Sequence, residues 1–448
     1  MAKKNTLGAL DEKREQEIMA AYLADPKNTV VRHALSRSSV SEAVFDPGST
    51  KEVNPHFSLD LKTMPVANQK QSGRCWIFAG LNFLREIIGK KAHIKSFELS
   101  QNYISLYDKI EKANYALELV VNFADRDHDD REFSYILHDP VSDGGQWDMF
   151  VNLVKKYGLM PQSAFPETFN SNNTRETDAI VNAAIRNFAA KACHLQKAGL
   201  KSQIRPLKEE TMNKIYGLFL DAFGVPPKTF DFEYEDSKDK YTVERGLTPL
   251  SFFKKYIGDE IDEYQSIINS PTEDKPFLKN YTIDYLGNVL EGAPINHLNL
   301  SMDRIKELII AQLQAGLPVW FGSDVGFYRD RGSSAWDDKA LDYESAFGLS
   351  VKFAKADMLD YWHSAMNHAM VIAGVNLVDG KPTKWKIENS WGTDNGVQGY
   401  YVMSPTWFDT FVYQAVINRK FLTEEERKAA SGEPKHLHPW DPMGTLAD

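Results

Sequence analysis

Residues 68–79 read Asn-Gln-Lys-Gln-Ser-Gly-Arg-Cys-Trp-Ile-Phe-Ala and contain one of the two cysteines in this 448-residue chain. The Ser72-Gly73 pair predicts a tight turn. From Cys75 to Ile88 the residues are apolar on nearly every side, which indicates a buried helix beginning at or just after the cysteine. The positive end of a helix dipole lowers the pKa of a thiol, and Arg74 is expected to act in the same direction. Cys75 is therefore a candidate nucleophile, although an isolated buried cysteine is usually inert.

A histidine and an asparagine far along the chain complete a candidate catalytic set. His368 directly precedes the apolar run 369–375, so we expect it at the start of a strand. Asn389 follows in the sequence Asn-Ser-Trp-Gly. A thiolate nucleophile needs a base that also protonates the leaving amine, and a group that orients this base. An asparagine amide can accept from one imidazole nitrogen, and Trp391 can shield that hydrogen bond from water.

These residues in this order resemble the papain-like cysteine peptidases, in which a glutamine stands six residues before the cysteine, as Gln69 does here. The separation of Cys75 and His368 is 368 − 75 = 293 residues, against roughly 130–150 in ordinary members. The excess predicts an insertion and points to the bleomycin hydrolase and aminopeptidase C branch, whose resemblance covers nearly the whole chain. The supporting stretches are residues 72–76, 139–149, 318–322 and 439–444.

The resemblance implies an α+β fold, that of a papain-like two-domain cysteine peptidase with a helical insertion and a C-terminal tail in the active-site cleft. Helical periodicity is predicted over 11–25, 98–122, 146–157, 175–198 and 304–314, and β-rich runs over 318–322, 369–378, 384–390 and 399–403. The expected division is an N-terminal helix and arm (1–68), a helical left domain with the nucleophile (69–160), an inserted, mainly helical subdomain (161–300), a β-rich right domain with the histidine and asparagine (301–425) and the tail (426–448).

The resemblance also implies a role for each site residue. Cys75 would attack the scissile carbonyl as a thiolate paired with protonated His368. The side-chain amide of Gln69 and the backbone N–H of Cys75 would form the oxyanion hole. Asn389 would orient His368, and Trp391 would cover the pair.

Substrate binding is expected at two places. Gly144 and Gly145 resemble the cleft glycines that let a substrate backbone approach closely, although a turn with positive φ is the alternative. In the resembling family the tail re-enters the cleft and its terminal carboxylate meets the free α-amino group of the substrate, which implies that Ala447 and Asp448 lie there. Such an enzyme is an aminopeptidase. Asp448 is one residue more than the usual family ending, and we expect the enzyme to trim it.

Composition limits the function classes. The formal net charge of 52 − 62 = −10 gives no support to nucleic-acid binding. Two cysteines cannot form a disulfide framework, and no apolar run is long enough to span a bilayer, so we expect a cytoplasmic protein without membrane contact. No metal or phosphate-binding motif is found, and we expect no cofactor.

The expected partners are peptides with free N-termini, and the resemblance implies a homohexamer whose active sites face an internal cavity. Broad specificity, including amide hydrolysis like that of bleomycin hydrolase, follows from the same resemblance. The alternatives are a papain-like endopeptidase, if the tail does not block the cleft, a nucleic-acid-binding hexameric peptidase, and a catalytically silent scaffold.

Overall fold

The computed structural model describes residues 8, 10–49, 54–328 and 334–447, without the side chain of Ala447. The helices are α1 Glu12–Ala24, α2 Pro26–Leu35, α3 Val40–Ala43, α4 Cys75–Ala92, α5 Gln101–Phe123, α6 Arg131–His138, α7 Trp147–Tyr157, α8 Arg175–Lys197, α9 Ile204–Phe223, α10 Pro249–Tyr256, α11 Met302–Gln314, α12 Tyr343–Phe347, α13 Lys355–Asp360, α14 Pro405–Phe411 and α15 Glu424–Ala430. The strands are β1 Leu59–Asp60, β2 Phe230–Glu235, β3 Tyr241–Leu247, β4 Tyr264–Ile268, β5 Lys279–Ile283, β6 His297–Asn299, β7 Val319–Ser323, β8 Ala335–Trp336, β9 His368–Val378, β10 Lys381–Glu388, β11 Tyr400–Met403, β12 Val412–Asn418 and β13 Lys435–Leu437. Short 3-10 helices cover Lys201–Gln203, Gly258–Glu263, Arg419–Phe421 and Pro442–Ala447.

The N-terminal segment is more helical than its sequence suggested. The helix predicted over residues 11–25 is α1, and the predicted arm that follows it contains α2, α3 and β1. Pro26 ends α1 but also occupies the first turn of α2, a position where its missing N–H costs nothing. None of the residues of α1, α2 and α3 is buried.

The helical body is organised around α4, which is buried on nearly all sides as its apolar sequence predicted. Helix α7 packs so closely against it that the ring of Phe150 would meet a Cβ placed on Gly80 at 2.8 Å. The other face of α4 contacts the sheet, mainly through β9. The first residues of α4 are thereby fixed between helices and sheet.

In the described part of the chain, eleven strands form one sheet, in the order β13-β5-β6-β4-β12-β7-β9-β10-β11-β8, with β1 paired to β9. The central strand β9 is antiparallel to both β7 and β10. His368 is its first residue and lies opposite Ser323 at the end of β7. The sheet thus holds the end of β9 that carries His368 over the start of α4.

The range 161–300, expected to be an inserted, mainly helical subdomain, also supplies strands to the main sheet. Helices α8, α9 and α10 occupy its first part, together with the hairpin of β2 and β3. The last part supplies β4, β5 and β6 to the main sheet, where β4 pairs with β12. All five residues of β4 are buried, so the strand has no alternation of polar and apolar residues by which to recognise it.

No helix in the described ranges combines the length and the apolar character needed to cross a bilayer.

Candidate active site

Cys75 is the first residue of α4 and is only 4% exposed. The backbone N–H of Ala369, the second residue of β9, donates to its Sγ at 3.4 Å. The indole Nε1 of Trp320 in β7 donates to the carbonyl oxygen of Trp76 at 3.2 Å. These two bonds hold the first turn of α4 against β9, which carries His368, and against its neighbour β7.

His368 lies between an amide and an aromatic ring. Its Nε2 is 2.9 Å from Oδ1 of Asn389, and the Trp391 ring stacks on the imidazole at 5.0 Å between centroids and an interplanar angle of 27°. The backbone N–H of Ser390 also donates to Oδ1 of Asn389, at 2.7 Å, which fixes the amide with its oxygen toward the histidine. Since an oxygen only accepts, Nε2 carries the proton of the neutral ring and Nδ1 holds the lone pair.

Gln69 is tied to the segment that follows Asn389. Its backbone N–H donates to the carbonyl oxygen of Ser390 at 2.9 Å, and its Oε1 accepts from Oγ of Ser390 at 2.5 Å. The Nε2 donates one hydrogen to the carbonyl oxygen of Ser72 at 2.6 Å. The amide nitrogen carries a second hydrogen, so the same side chain can close the turn before Cys75 and still donate to a ligand.

The electrostatics at the thiol differ from the sequence-based expectation. Burial raises the pKa of Cys75 to about 11, against the N–H groups of Ala369 and Trp76, which lower it, and the Asp143 carboxylate adds to the rise. Arg74 does not face the sulfur, because its guanidinium makes a bidentate pair with Glu167 at 3.0 and 3.2 Å. The helix terminus acts in the expected direction, through the N–H of Trp76, but desolvation outweighs it, and the Arg74 guanidinium is directed to Glu167 instead of the sulfur, so the expectation of a lowered thiol pKa is wrong.

The expected substrate-binding glycines lie beside the C-terminal segment. The N–H of Gly145 donates to the carbonyl oxygen of Leu446 at 2.9 Å. Nε2 of Gln146 lies 3.3 and 3.4 Å from the carbonyl oxygens of Met443 and Gly444. Gly144 has no bond to this segment among those of the described residues; its carbonyl oxygen instead accepts from a buried lysine, Lys112.

The C-terminal segment also reaches the strand that carries the histidine. Oγ1 of Thr445 donates to the carbonyl oxygen of Met366, two residues before His368, at 2.8 Å. Met443 and Leu446 are buried. Asp448 and the side chain of Ala447, both expected to bind substrate, lie outside the described residues.

Sequence reasoning missed a buried ion pair behind the site. Nη2 of Arg85 in α4 lies 3.0 Å from Oε1 of Glu388, the residue directly before Asn389. Nδ2 of Asn82, also in α4, donates to the same oxygen at 3.0 Å. The signal in the sequence was a glutamate directly before Asn389, beside the apolar Ile387. Among the described residues, no three His, Cys, Asp or Glu side chains are grouped as ligands of a metal ion.

Comparison with known proteins gives a consistent set of relatives. Residues 9–444 match the model of the Peptidase C1-like family. Aminopeptidase C of Lactobacillus delbrueckii subsp. lactis is 45% identical over 426 residues, which is 94% of this chain and 95% of the relative. Aminopeptidase C of Listeria innocua is 42% identical over 425 residues, 94% of this chain and 96% of the relative. The crystal structure of PepW from Lactobacillus rhamnosis HN001 superposes with a TM-score of 0.94 at 43% identity, covering 98% of this chain and 99% of that one.

Proposed function

The chain belongs to the Peptidase C1-like family and is a cysteine aminopeptidase, and we propose that it releases N-terminal residues through a thioester formed on Cys75. The observation that carries this mechanism is the bond from the Ala369 N–H to the Cys75 sulfur. It brings the residue next to His368 into contact with the nucleophile, although 293 positions separate Cys75 from His368 in the sequence (368 − 75 = 293).

The first half of the reaction forms the thioester. Nδ1 of His368 takes the thiol proton, and the thiolate attacks the carbonyl carbon of the first peptide bond. The backbone N–H of Cys75 and the second N–H of the Gln69 amide donate to the resulting oxyanion. When the tetrahedral intermediate collapses, the C–N bond breaks, and the leaving amine takes the proton from His368.

The second half releases the N-terminal residue. His368 removes a proton from a water molecule, which attacks the thioester carbonyl, and the C–S bond breaks. The sulfur takes the proton back from His368, so the enzyme returns to its starting state. Asn389 keeps the imidazole in one tautomer through both halves, and Trp391 covers this hydrogen bond.

The C-terminal segment would restrict cleavage to the N-terminus of a substrate. Residues 442–447 run past Gly145 and Gln146, and this segment would close one end of the cleft. The resemblance adds that a carboxylate beyond Leu446 meets the α-ammonium group of the substrate. Deletion of residues 444–448 should therefore allow the enzyme to cleave a peptide whose N-terminus is blocked.

A paired hydrolysis assay tests this proposal. One peptide is offered under reducing conditions with its α-amino group free and again N-acetylated, with the Cys75→Ala variant as the blank. The full chain should cleave only the free-amine form, one residue at a time, whereas the truncated chain should accept both forms. Equal cleavage of both forms by the full chain would show an endopeptidase, and activity in Cys75→Ala would refute the role of the thiol.

We also propose a cytoplasmic homohexamer with broad specificity that extends to amides of the kind bleomycin hydrolase cleaves. The exposed apolar side chains Ile18, Met19, Tyr22 and Leu23 of α1 support an intersubunit contact, because nothing within the described chain buries them. Light scattering of the full chain should give six times the mass of one subunit. Replacement of Ile18 and Leu23 by serine should lower that mass if α1 contributes to assembly.

A further inference from the structure

A cluster of buried charges lies beneath residues 142–146, which we call the cleft loop. Lys109 of α5 contacts two carboxylates, Oδ1 of Asp143 at 2.8 Å and Oδ2 of Asp178 at 2.9 Å. The Lys109 side chain is only 1% exposed. Buried ammonium groups are costly unless they are paired and hydrogen-bonded, so this arrangement needs an explanation beyond packing.

The lysines of this cluster also hold the backbone of the cleft loop. Nζ of Lys109 and Nζ of Lys112 donate to the carbonyl oxygen of Ser142 at 2.9 and 3.0 Å, and Lys112 donates to that of Gly144 as well. Hydrogen bonds from charged donors are stronger than those between neutral groups. They turn the loop carbonyls inward, while the N–H of Gly145 donates to the C-terminal segment.

Asp143 connects the same loop to the turn before the nucleophile. Its Oδ2 accepts from the backbone N–H of Gly73 at 2.7 Å and from Oγ1 of Thr174 at 2.5 Å. Its carbonyl oxygen accepts from Nε1 of Trp76 at 2.7 Å. The residues on both sides of Cys75 in the sequence are thus bonded to one residue of the loop.

The turn before Cys75 and the cleft loop are packed as closely as their side chains allow. A Cβ at Gly73 would lie 2.7 Å from Cβ of Asp143, and a Cβ at Gly145 would lie 2.5 Å from the indole of Trp76. Both distances are shorter than a normal van der Waals contact. The turn before Cys75 and the cleft loop can therefore approach this closely only because these positions are glycine. A shift of the loop would therefore move the turn with it.

We propose that Asp143, held by Lys109, is a positioning residue that fixes the distance between the Cys75 thiol and the cleft loop. The inference deepens the proposed function and rests on it only in taking Cys75 as the nucleophile. Because the C-terminal segment binds to this loop, the same distance decides which peptide bond of a substrate lies at the sulfur. Lys112 and Asp108, 3.0 Å apart, support the loop from beneath.

A purely structural role for the cluster makes a different prediction from a positioning role. The Asp143 carboxylate raises the pKa of the thiol, and the groups that face this carboxylate are Lys109, Lys112, Asp178, Thr174 and the N–H of Gly73. Replacing Asp143 by asparagine removes a negative charge and should shift alkylation of Cys75 to lower pH. Replacing Lys109 by methionine leaves that charge uncompensated and should shift alkylation to higher pH. A general loosening of the fold would instead shift the pH profile of alkylation in the same direction for both variants.

The experiment compares Asp143→Asn and Lys109→Met with a matched exposed pair, Asp239→Asn and Lys95→Met. Lys95 and Asp239 are 2.8 Å apart with side chains 61% and 74% exposed, and they lie near the far end of α4, about 27 Å along its axis at 1.5 Å per residue. All variants carry Cys193→Ser, so that only one thiol reacts. Iodoacetamide alkylation is followed against pH, and kcat and KM are measured on a free-amine peptide.

Opposite shifts of the two alkylation profiles are expected, with kcat lowered in both variants by about 100-fold, the cost of a misplacement of about 1 Å, and with little change in KM. Lys109→Arg should restore the alkylation profile, and the exposed-pair controls should match the parent. If Asp143→Asn does not fold, Thr174→Val replaces it, since that variant removes one donor to the same carboxylate without a change of charge; its kcat should fall while its alkylation profile stays that of the parent. Shifts in the same direction, or an unchanged kcat in the folded variant, would overturn the proposal. Alkylation needs no peptidase activity, so a wrong assignment of the nucleophile would appear separately, as activity that survives in Cys75→Ala.

Discussion

Replacement of His368 by alanine should reveal the intrinsic acidity of the Cys75 thiol. In the parent enzyme the thiol proton can pass to Nδ1 of the imidazole, which stabilises the thiolate beside a cation. In His368→Ala that acceptor is gone, and the burial that raises the pKa of this thiol to about 11 is left to decide. The variant should therefore keep its thiol protonated at neutral pH.

The size of the effect follows from this pKa. A cysteine of ordinary pKa, about 8.5, is about 3% ionised at pH 7, and a thiol of pKa about 11 is about 0.01% ionised, roughly 300-fold less. Limited access to a thiol that is only 4% exposed slows every alkylation rate, so the dependence on pH is the decisive quantity. In His368→Ala the rate should rise about tenfold per pH unit up to pH 10 without a plateau.

Iodoacetamide alkylation in a Cys193→Ser background, followed by mass spectrometry between pH 5 and pH 10, measures this profile. The parent should react readily at pH 7 and change little above it. Circular dichroism at each pH verifies that the fold persists. A plateau near pH 8.5 in the variant would contradict the argued burial of the thiol, and one common profile for parent and variant would contradict proton transfer to His368.

Two further substitutions test the cleft. Gln69→Ala should lower kcat by about 100-fold to 1000-fold with little change in KM, because it removes a donor to the oxyanion and not to the ground state; a KM effect alone in steady-state kinetics would speak against the oxyanion role. Gly145→Ala places a Cβ 2.5 Å from the Trp76 indole and should lower both the melting temperature and kcat, whereas a variant with parental values in calorimetry and peptide assays would show that the loop can move away.

The sequence predicted those parts of the fold that depend on local periodicity. Helices predicted over 98–122 and 175–198 are α5 and α8, within three residues at either end. The strands β4, β5 and β6 were missed because their pairing is not local: β4 lies against β12, and the paired residues Gln265 and Ile417 are 417 − 265 = 152 positions apart. Polar residues also interrupt these short strands, as Gln265 and Ser266 do in β4, so no apolar run marks them in the sequence.

The sequence also predicted the residues that the structure brings together at the site, since Gln69, Cys75, His368 and Asn389 form motifs of fixed spacing. It did not predict the raised pKa of the thiol, because that pKa depends first on burial and then on which charged side chains face the sulfur. Arg74 precedes the cysteine directly, but its guanidinium is held by Glu167, 93 residues further on. Its position next to Cys75 in the sequence therefore wrongly suggested that the thiol pKa would be lowered.

The buried pair of Arg85 and Glu388 permits a test that separates the alignment of the catalytic residues from the stability of the fold. Removing one partner of such a pair costs about 3–5 kcal/mol, whereas replacing both by apolar residues of similar size is often neutral or stabilising. Arg85→Met should therefore lower the denaturation midpoint, and the double variant Arg85→Met, Glu388→Leu should recover it. The pair joins α4, which carries Cys75, to the residue before Asn389, so recovered stability need not recover the geometry of the site. If the pair sets that geometry, the double variant is stable but has a low kcat; if the double variant is stable and fully active, the pair is not needed for the geometry of the site, and β9 by itself aligns His368 with Cys75.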